Sequence, residues 1–160
     1  MNLYIMRHGE ASWDAQIDSE RSLTDFGQQQ ATAVGQYLSE ANISFDLVMV
    51  SPYKRAQQTA SNVLNKFPSV NRVESSNITP ESSVAMAQES IEASGYKNIL
   101  LISHLPLVAN LTGYLTAEDR ASRGQHWSPA TLAYLKGDYF LPGCMTVQWI
   151  KSPNELVGKL

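Results

Sequence analysis

Apolar residues fall along this chain in two rhythms. Leu3-Tyr4-Ile5-Met6, Asp46-Leu47-Val48-Met49-Val50 and Asn98-Ile99-Leu100-Leu101-Ile102-Ser103 are short runs with little polar interruption, the pattern of strands buried on both faces. Between them the period lengthens to that of a helix. Thr24 is a good N-cap with Asp25 in the first turn, and Gly27, Ala31, Val34, Leu38 and Ala41 then recur on one face. The second run is stopped by Ser51-Pro52, and a helix from about Tyr53 shows a face drawn by Ala56, Ala60, Val63, Leu64 and Phe67. Val70 to Val73 reads as a further short strand. Thr79-Pro80-Glu81 reads as N-cap, first-turn proline and first-turn acid of a helix running to about Ser94 and ended by Gly95. Pro106 opens another helix through about Leu115. Two alternating runs close the chain, Thr131 to Lys136 and Met145 to Lys151, with turn residues Gly137-Asp138 and Pro142-Gly143 between them. They predict an antiparallel hairpin at one side of the sheet.

Strands alternating with amphipathic helices imply right-handed crossovers, hence an α/β three-layer sandwich around a mainly parallel sheet. In such sheets ligands bind just beyond the carboxyl ends of the strands. That is where the chemistry of this sequence collects. Arg7-His8-Gly9 follows the first strand, Ser51 to Arg55 the second, and His104-Leu105 the strand that ends at Ser103. Gly9 allows a sharp turn or a close backbone approach. Arg55 falls in the first turn of its helix, where free N–H groups and the helix dipole already favour an anion. The polar stretch Glu10 to Ser22 lacks an apolar period and reads as a loop, either a solvated connection or a flap over the site. Ala117 to Ser128, with Glu118, Asp119, Arg120, Arg123 and His126, reads as a second polar connection.

Composition narrows the picture. A chain of 160 residues suits one domain, residues 1–160. The net charge of -3 gives no basic face for nucleic acid or an anionic membrane, so any anion must be captured locally. Strand and motif begin at once, so a leader and export are not expected, and no apolar run approaches the roughly 20 residues of a membrane-spanning helix. Cys144 is the single cysteine, which excludes an internal disulfide, fits a reducing cytoplasm and, beside Gly143, reads as buried filler. Three histidines raise the question of a metal, but His8 and His104 stand among arginine, glycine and aliphatic residues rather than acids or thiols, and Arg7 opposes a divalent cation. No metal is expected.

Two arginines and two histidines around one cavity suit a phosphoryl group, whose three equatorial oxygens match the planar guanidinium fork. An imidazole is a nucleophile toward phosphorus when a backbone acceptor keeps one ring nitrogen protonated and leaves the other its lone pair. The segments Arg7-His8-Gly9, Ser51-Pro52-Tyr53-Lys54-Arg55-Ala56-Gln57-Gln58-Thr59 and Ser103-His104-Leu105-Pro106, together with Leu23-Thr24-x-x-Gly27-x-x-Gln30-Ala31, closely resemble the histidine phosphatase superfamily and its phosphoglycerate-mutase-like members. The resemblance covers about residues 1 to 116 and is greatest to the small bacterial phosphohistidine phosphatases of the SixA type. It implies a phosphoglycerate-mutase-like fold and a metal-independent phosphatase without cofactor. His8 would be the nucleophile, Arg7 and Arg55 the clamp, and His104 a donor to an equatorial oxygen. Gly9, Asp18, Arg21, Ser51 and Leu105 are expected to contact the substrate around them.

The substrate expectation rests on an absence. Ester-cleaving relatives carry an acid after the third strand, the Glu of a Leu-x-Glu run, which protonates the departing alkoxide. The counterpart here is Ile78-Thr79-Pro80, and Pro80 has no proton to give. Glu81 is adjacent and reads as dipole compensation in a helix first turn. General acid catalysis contributes about 10² to 10⁴-fold for a poor leaving group. A phosphohistidine needs less help, because imidazole leaves with a conjugate-acid pKa of about 6.5. The expected partner is therefore a phosphorylated histidine-containing domain of a bacterial phosphorelay or a related phosphocarrier, met by a cytoplasmic monomer. A small-molecule phosphomonoesterase of the same superfamily is the alternative, and a non-catalytic phosphate-binding module a further one.

Overall fold

The computed structural model describes residues 1–117 and 126–160. Most of the polar segment Ala117 to Ser128 therefore lies outside the described residues. In chain order the elements are β1 (Asn2–Arg7), α1 (Asp25–Glu40), β2 (Leu47–Val50), α2 (Lys54–Leu64), β3 (Asn71–Glu74), α3 (Val84–Ala93), β4 (Asn98–Ser103), α4 (Leu107–Thr116), β5 (Leu132–Gly137), β6 (Met145–Lys151) and α5 (Pro153–Val157). Short 3-10 turns cover Asp18–Glu20 and Ser76–Ile78.

The six strands form one sheet in the order β3-β2-β4-β1-β5-β6. β1 to β4 run parallel, whereas β5 is antiparallel to β1 and β6 to β5. The uninterrupted apolar runs are explained by helices on both faces. Leu3, Ile5, Leu47, Met49, Ile99 and Leu101 point into one core with Ile91, Leu111 and Leu115 of α3 and α4. The alternate residues Tyr4, Met6, Val48, Val50, Leu100 and Ile102 point into the other, against Val34 and Leu38 of α1 and Ala60 and Val63 of α2. This is the expected three-layer α/β sandwich, with the hairpin β5-β6 at one edge.

Strand order also positions the chemistry. β4 returns between β2 and β1, so Arg7 is paired with Ser103 and Val50 with Ile102, and three adjacent strands finish at one level. The backbone N–H groups just beyond those ends are held there: His8 N–H donates to Ser103 O at 2.9 Å and Ser51 N–H to Ile102 O at 3.1 Å.

Three local expectations change. The third long helix begins at Val84, capped by the Ser83 hydroxyl accepting from Met86 N–H. Thr79-Pro80-Glu81 precedes it in a turn closed by Thr79 N–H donating to Ser82 Oγ at 2.9 Å, so Glu81 does not sit in the helix's first turn. Two serines four and three residues on offered better-placed hydroxyls than Thr79, a local competition that composition does not resolve. Cys144 is exposed rather than buried, because the strand whose inward face it seemed to share starts only at Met145. Finally, α5 was not anticipated. It is a single short helix closed by a capping box between Ser152 and Glu155.

Candidate active site

Beyond the ends of β1, β2 and β4 lies a cavity of about 270 Å³ lined by Arg7, His8, Arg55, His104 and Leu105, with Glu10, Ala11, Trp13 and Arg21 contributed by the segment after β1. Four polar side chains from three separate strand ends thus meet on one floor. His8 and His104 are nearly fully buried, their ring centroids 5.0 Å apart.

The hydrogen bonds define the protonation of both rings. His8 Nδ1 lies 2.7 Å from Gly9 O, an acceptor only, so Nδ1 carries the hydrogen and Nε2 keeps its lone pair. Arg55 Nε–H donates to that Nε2 at a long 3.2 Å. His104 Nε2 lies 2.7 Å from Ser51 Oγ, and Ser51 Oγ in turn accepts the Tyr53 N–H at 3.4 Å. The Ser51 hydroxyl hydrogen has no other acceptor among the described residues, so it is donated to His104 Nε2 and leaves Nδ1–H free. Among the described residues, His104 Nδ1 is buried without a partner, and so is Arg7 Nε. Two desolvated donors on residues that line the cavity are what an anionic oxygen would satisfy.

Charge reinforces this. Burial first, then the guanidiniums of Arg55, Arg7 and Arg21, push His8 down to about 3 against the opposing hydrogen bond to Gly9 O. Burial, then His8, Arg55 and Arg7, push His104 down to about 2. Both rings are neutral at physiological pH, and His8 is a free base. Arg7 is itself lowered by burial and by Arg55 and Arg21, the mark of three cations gathered without enough counter-charge.

Asp18 holds the outer side of the clamp. Arg55 Nη1 donates to Asp18 O at 2.6 Å and Nη2 to Asp18 Oδ2 at 3.0 Å, while Arg21 Nη1 reaches Asp18 Oδ1 at 3.2 Å. Burial acts to raise Asp18, but the hydrogen bonds from Arg55 and Arg21 outweigh it and hold the carboxyl below its usual range. The Nε edge of Arg55 is thereby turned toward His8. Arg7 is fixed from the other side by Nη1–H donating to Trp127 O at 2.6 Å.

The remaining expected contacts divide. Arg21 and Leu105 line the cavity; Asp18 and Ser51 do not, and orient Arg55 and His104 instead. Gly9 is absent from the lining as well. A Cβ on it would stand 2.5 Å from Gly27 O, so its bareness serves the close approach of α1. Of the two readings of the segment after β1, the structure favours the flap. An Ala11–Leu23 bridge ties its ends, and its residues wall the cavity. Glu10 and Trp13 were missed because nothing periodic marks them. His126 is exposed and does not line the cavity. Among the described residues no group of three His, Cys, Asp or Glu is placed to hold a metal ion.

A mainly parallel α/β sheet that gathers two neutral imidazoles and three guanidiniums beyond its strand ends defines a phosphatase. Residues 3–76 match the histidine phosphatase superfamily (branch 1). The chain is 39% identical over 150 residues to the phosphohistidine phosphatase SixA homolog of Haemophilus influenzae, covering 86% of this chain and 89% of that one. It is 39% identical over 124 residues to phosphohistidine phosphatase SixA of Escherichia coli strain K12, covering 74% and 73%. The structure of the protein histidine phosphatase SixA complexed with tungstate superposes with a TM-score of 0.83 at 31% identity, over 96% of this chain and 97% of that one. The chain belongs to the histidine phosphatase superfamily, and within it to the SixA-like hydrolases.

Proposed function

We propose that this protein removes the phosphoryl group from a phosphohistidine on a partner protein, a histidine-phosphotransfer domain of a phosphorelay or a related phosphocarrier in the cytoplasm. The observation that carries the reading is the way Glu81 is engaged. Its Oε2 accepts the Tyr53 hydroxyl at 3.0 Å, and it is not among the residues lining the cavity. The position where ester-cleaving relatives keep a leaving-group acid therefore offers none to the floor. An imidazole leaving group tolerates that, whereas an alkoxide forgoes about 10² to 10⁴-fold.

His8 Nε2 attacks phosphorus, and the P–N bond to the partner's imidazole breaks with its electron pair leaving on that nitrogen, which takes a proton from solvent. The Nε–H of Arg55 moves from His8 Nε2 to an equatorial oxygen as the lone pair is consumed. Arg7 and His104 Nδ1–H take the developing charge on the others. Water then attacks the phosphoryl group on His8, the P–Nε2 bond breaks with its electron pair returning to Nε2, the water's proton passes to solvent, and inorganic phosphate is released. That the protein histidine phosphatase SixA forms a complex with tungstate, a tetrahedral oxyanion, supports a phosphoryl-binding site in a protein of this fold. The reaction uses no metal, so a chelator should leave the rate unchanged.

One observation favours a second reading. Glu10 lines the cavity, its Oε1 accepting the Thr24 hydroxyl at 2.8 Å, and would be the proton donor of a small-molecule phosphomonoesterase. The discriminating experiment compares kcat/KM on a phosphorylated histidine-containing domain with that on phosphoglycerate, in the wild type, Glu10→Gln and Glu81→Gln, all in chelator. Preference for the domain, insensitive to either substitution, is expected. Efficient ester hydrolysis that collapses in either variant would replace the reading with the second one.

A further inference from the structure

The cavity floor is polar and cationic, but its rim also carries exposed apolar side chains. Trp13 is 82% exposed, Ile17 57% and Leu105 38%, and Trp13 and Leu105 also line the cavity. An indole left in water on a segment that could have been polar throughout needs a reason. It is also not loose: the Arg21 guanidinium lies 3.6 Å from the ring centroid. Arg21 is fixed in turn by Nε–H donating to Ser12 O at 2.8 Å and by its bond to Asp18, which holds Arg55. A chain of contacts thus runs from the clamp to a pre-ordered aromatic surface facing outward.

Resting on the function proposed above, we infer that Trp13, with Ile17 and Leu105, is the surface on which the phosphorylated protein docks. The occupant is a folded protein whose phosphohistidine is flanked by exposed apolar side chains. Surface chemistry and size argue for it. The cationic floor takes the phosphoryl group, and the exposed apolar side chains Trp13 and Leu105 beside it take apolar neighbours. Ile17 stands outside the cavity, beyond what a small phosphate ester in about 270 Å³ must touch, so only a substrate extending past the mouth gains from it. The ring's capping by Arg21 lowers the ordering cost of burying it, which is what makes an aromatic residue an anchor.

The test uses two substrates with identical chemistry, a phosphorylated histidine-containing domain and free phosphohistidine. In Trp13→Ala, kcat/KM on the domain relative to free phosphohistidine should fall about thirtyfold, mainly through KM, the loss typical of an aromatic anchor. Ile17→Ser should lower it by a smaller factor while leaving turnover of free phosphohistidine unchanged. Trp13→Phe should retain most of the preference, and thermal unfolding shows whether each variant is folded. Equal loss on both substrates would make the ring a mere prop for Arg21 and overturn the inference. No loss on either, or a loss confined to free phosphohistidine, would overturn it as well. A wild type that hydrolyses phosphoglycerate but neither phosphohistidine substrate would remove the functional reading itself, and the docking surface with it.

Discussion

The protonation states set by single hydrogen bonds are what turn four side chains into a reaction centre. Gly9 O selects the His8 tautomer, Ser51 selects that of His104, and Asp18 aims Arg55. Arg55→Ala should therefore cut kcat/KM by about 10² to 10³-fold, the loss seen when one donor to a developing oxyanion is removed. Its melting temperature should fall far less than that implies, because the substitution also relieves repulsion among Arg7, Arg21 and Arg55. Arg55→Lys should rescue poorly, since an ammonium cannot reach His8 and Asp18 with one planar fork. Activity and stability lost in step, or full rescue by lysine, would contradict this. Arg7, His8 and His104 were legible in the sequence because each stands where an apolar run stops, and Arg55 because Ser51-Pro52 stops the second run and opens its helix. The roles of Ser51 and Asp18 were not. A hydroxyl or carboxylate beside a site looks the same in sequence whether it faces the ligand or the residue behind it.

At the scale of elements, the site depends on how closely α1 approaches the end of β1. A Cβ on Gly27 would lie 2.1 Å from Glu10 O, and one on Gly9 2.5 Å from Gly27 O, so backbone meets backbone with no side chain between. Gly27→Ala should push the start of α1 outward, costing about 1–3 kcal/mol as overpacked sites do. It should also lower turnover by displacing His8, whose Nδ1 is oriented by Gly9 O. Urea unfolding together with kcat measures both; an alanine variant of unchanged stability would disprove the contact. The periodicity located β1, β2, β4, α1 and α2 because each buries a regular face. It misplaced the start of α3, where Thr79, Ser82 and Ser83 competed as caps, and it missed α5, too short to show a period. The flap stayed one of two readings for a related reason. Its geometry comes from Arg21, Asp18 and Trp13 meeting across a loop, not from a repeat.

For the whole molecule, burying two neutral histidines among cations links stability to pH. Their folded values, about 3 for His8 and about 2 for His104, lie below the 6.5 of an unfolded chain. Between those limits the unfolded state binds more protons, so the contribution is fully present above pH 6.5 and is lost as pH falls toward 3. The slope is about 1.4 kcal/mol per pH unit for each ring. Unfolding free energy measured in urea from pH 7 to pH 5 should drop accordingly, and the double variant His8→Asn, His104→Asn should flatten the drop. An undiminished slope in that variant would place the acid sensitivity elsewhere.

The central claim, that His8 Nε2 carries the phosphoryl group between partner and water, is tested most directly by trapping it. A histidine-containing domain bearing radiolabelled phosphate is mixed with the enzyme, denatured within milliseconds in alkali, digested, and the labelled peptide sequenced by mass spectrometry. The account predicts an acid-labile, alkali-stable phosphate on His8 that appears before inorganic phosphate accumulates, and no label on a His8→Ala variant that has also lost turnover. Label on another residue, or undiminished turnover by His8→Ala, would contradict it.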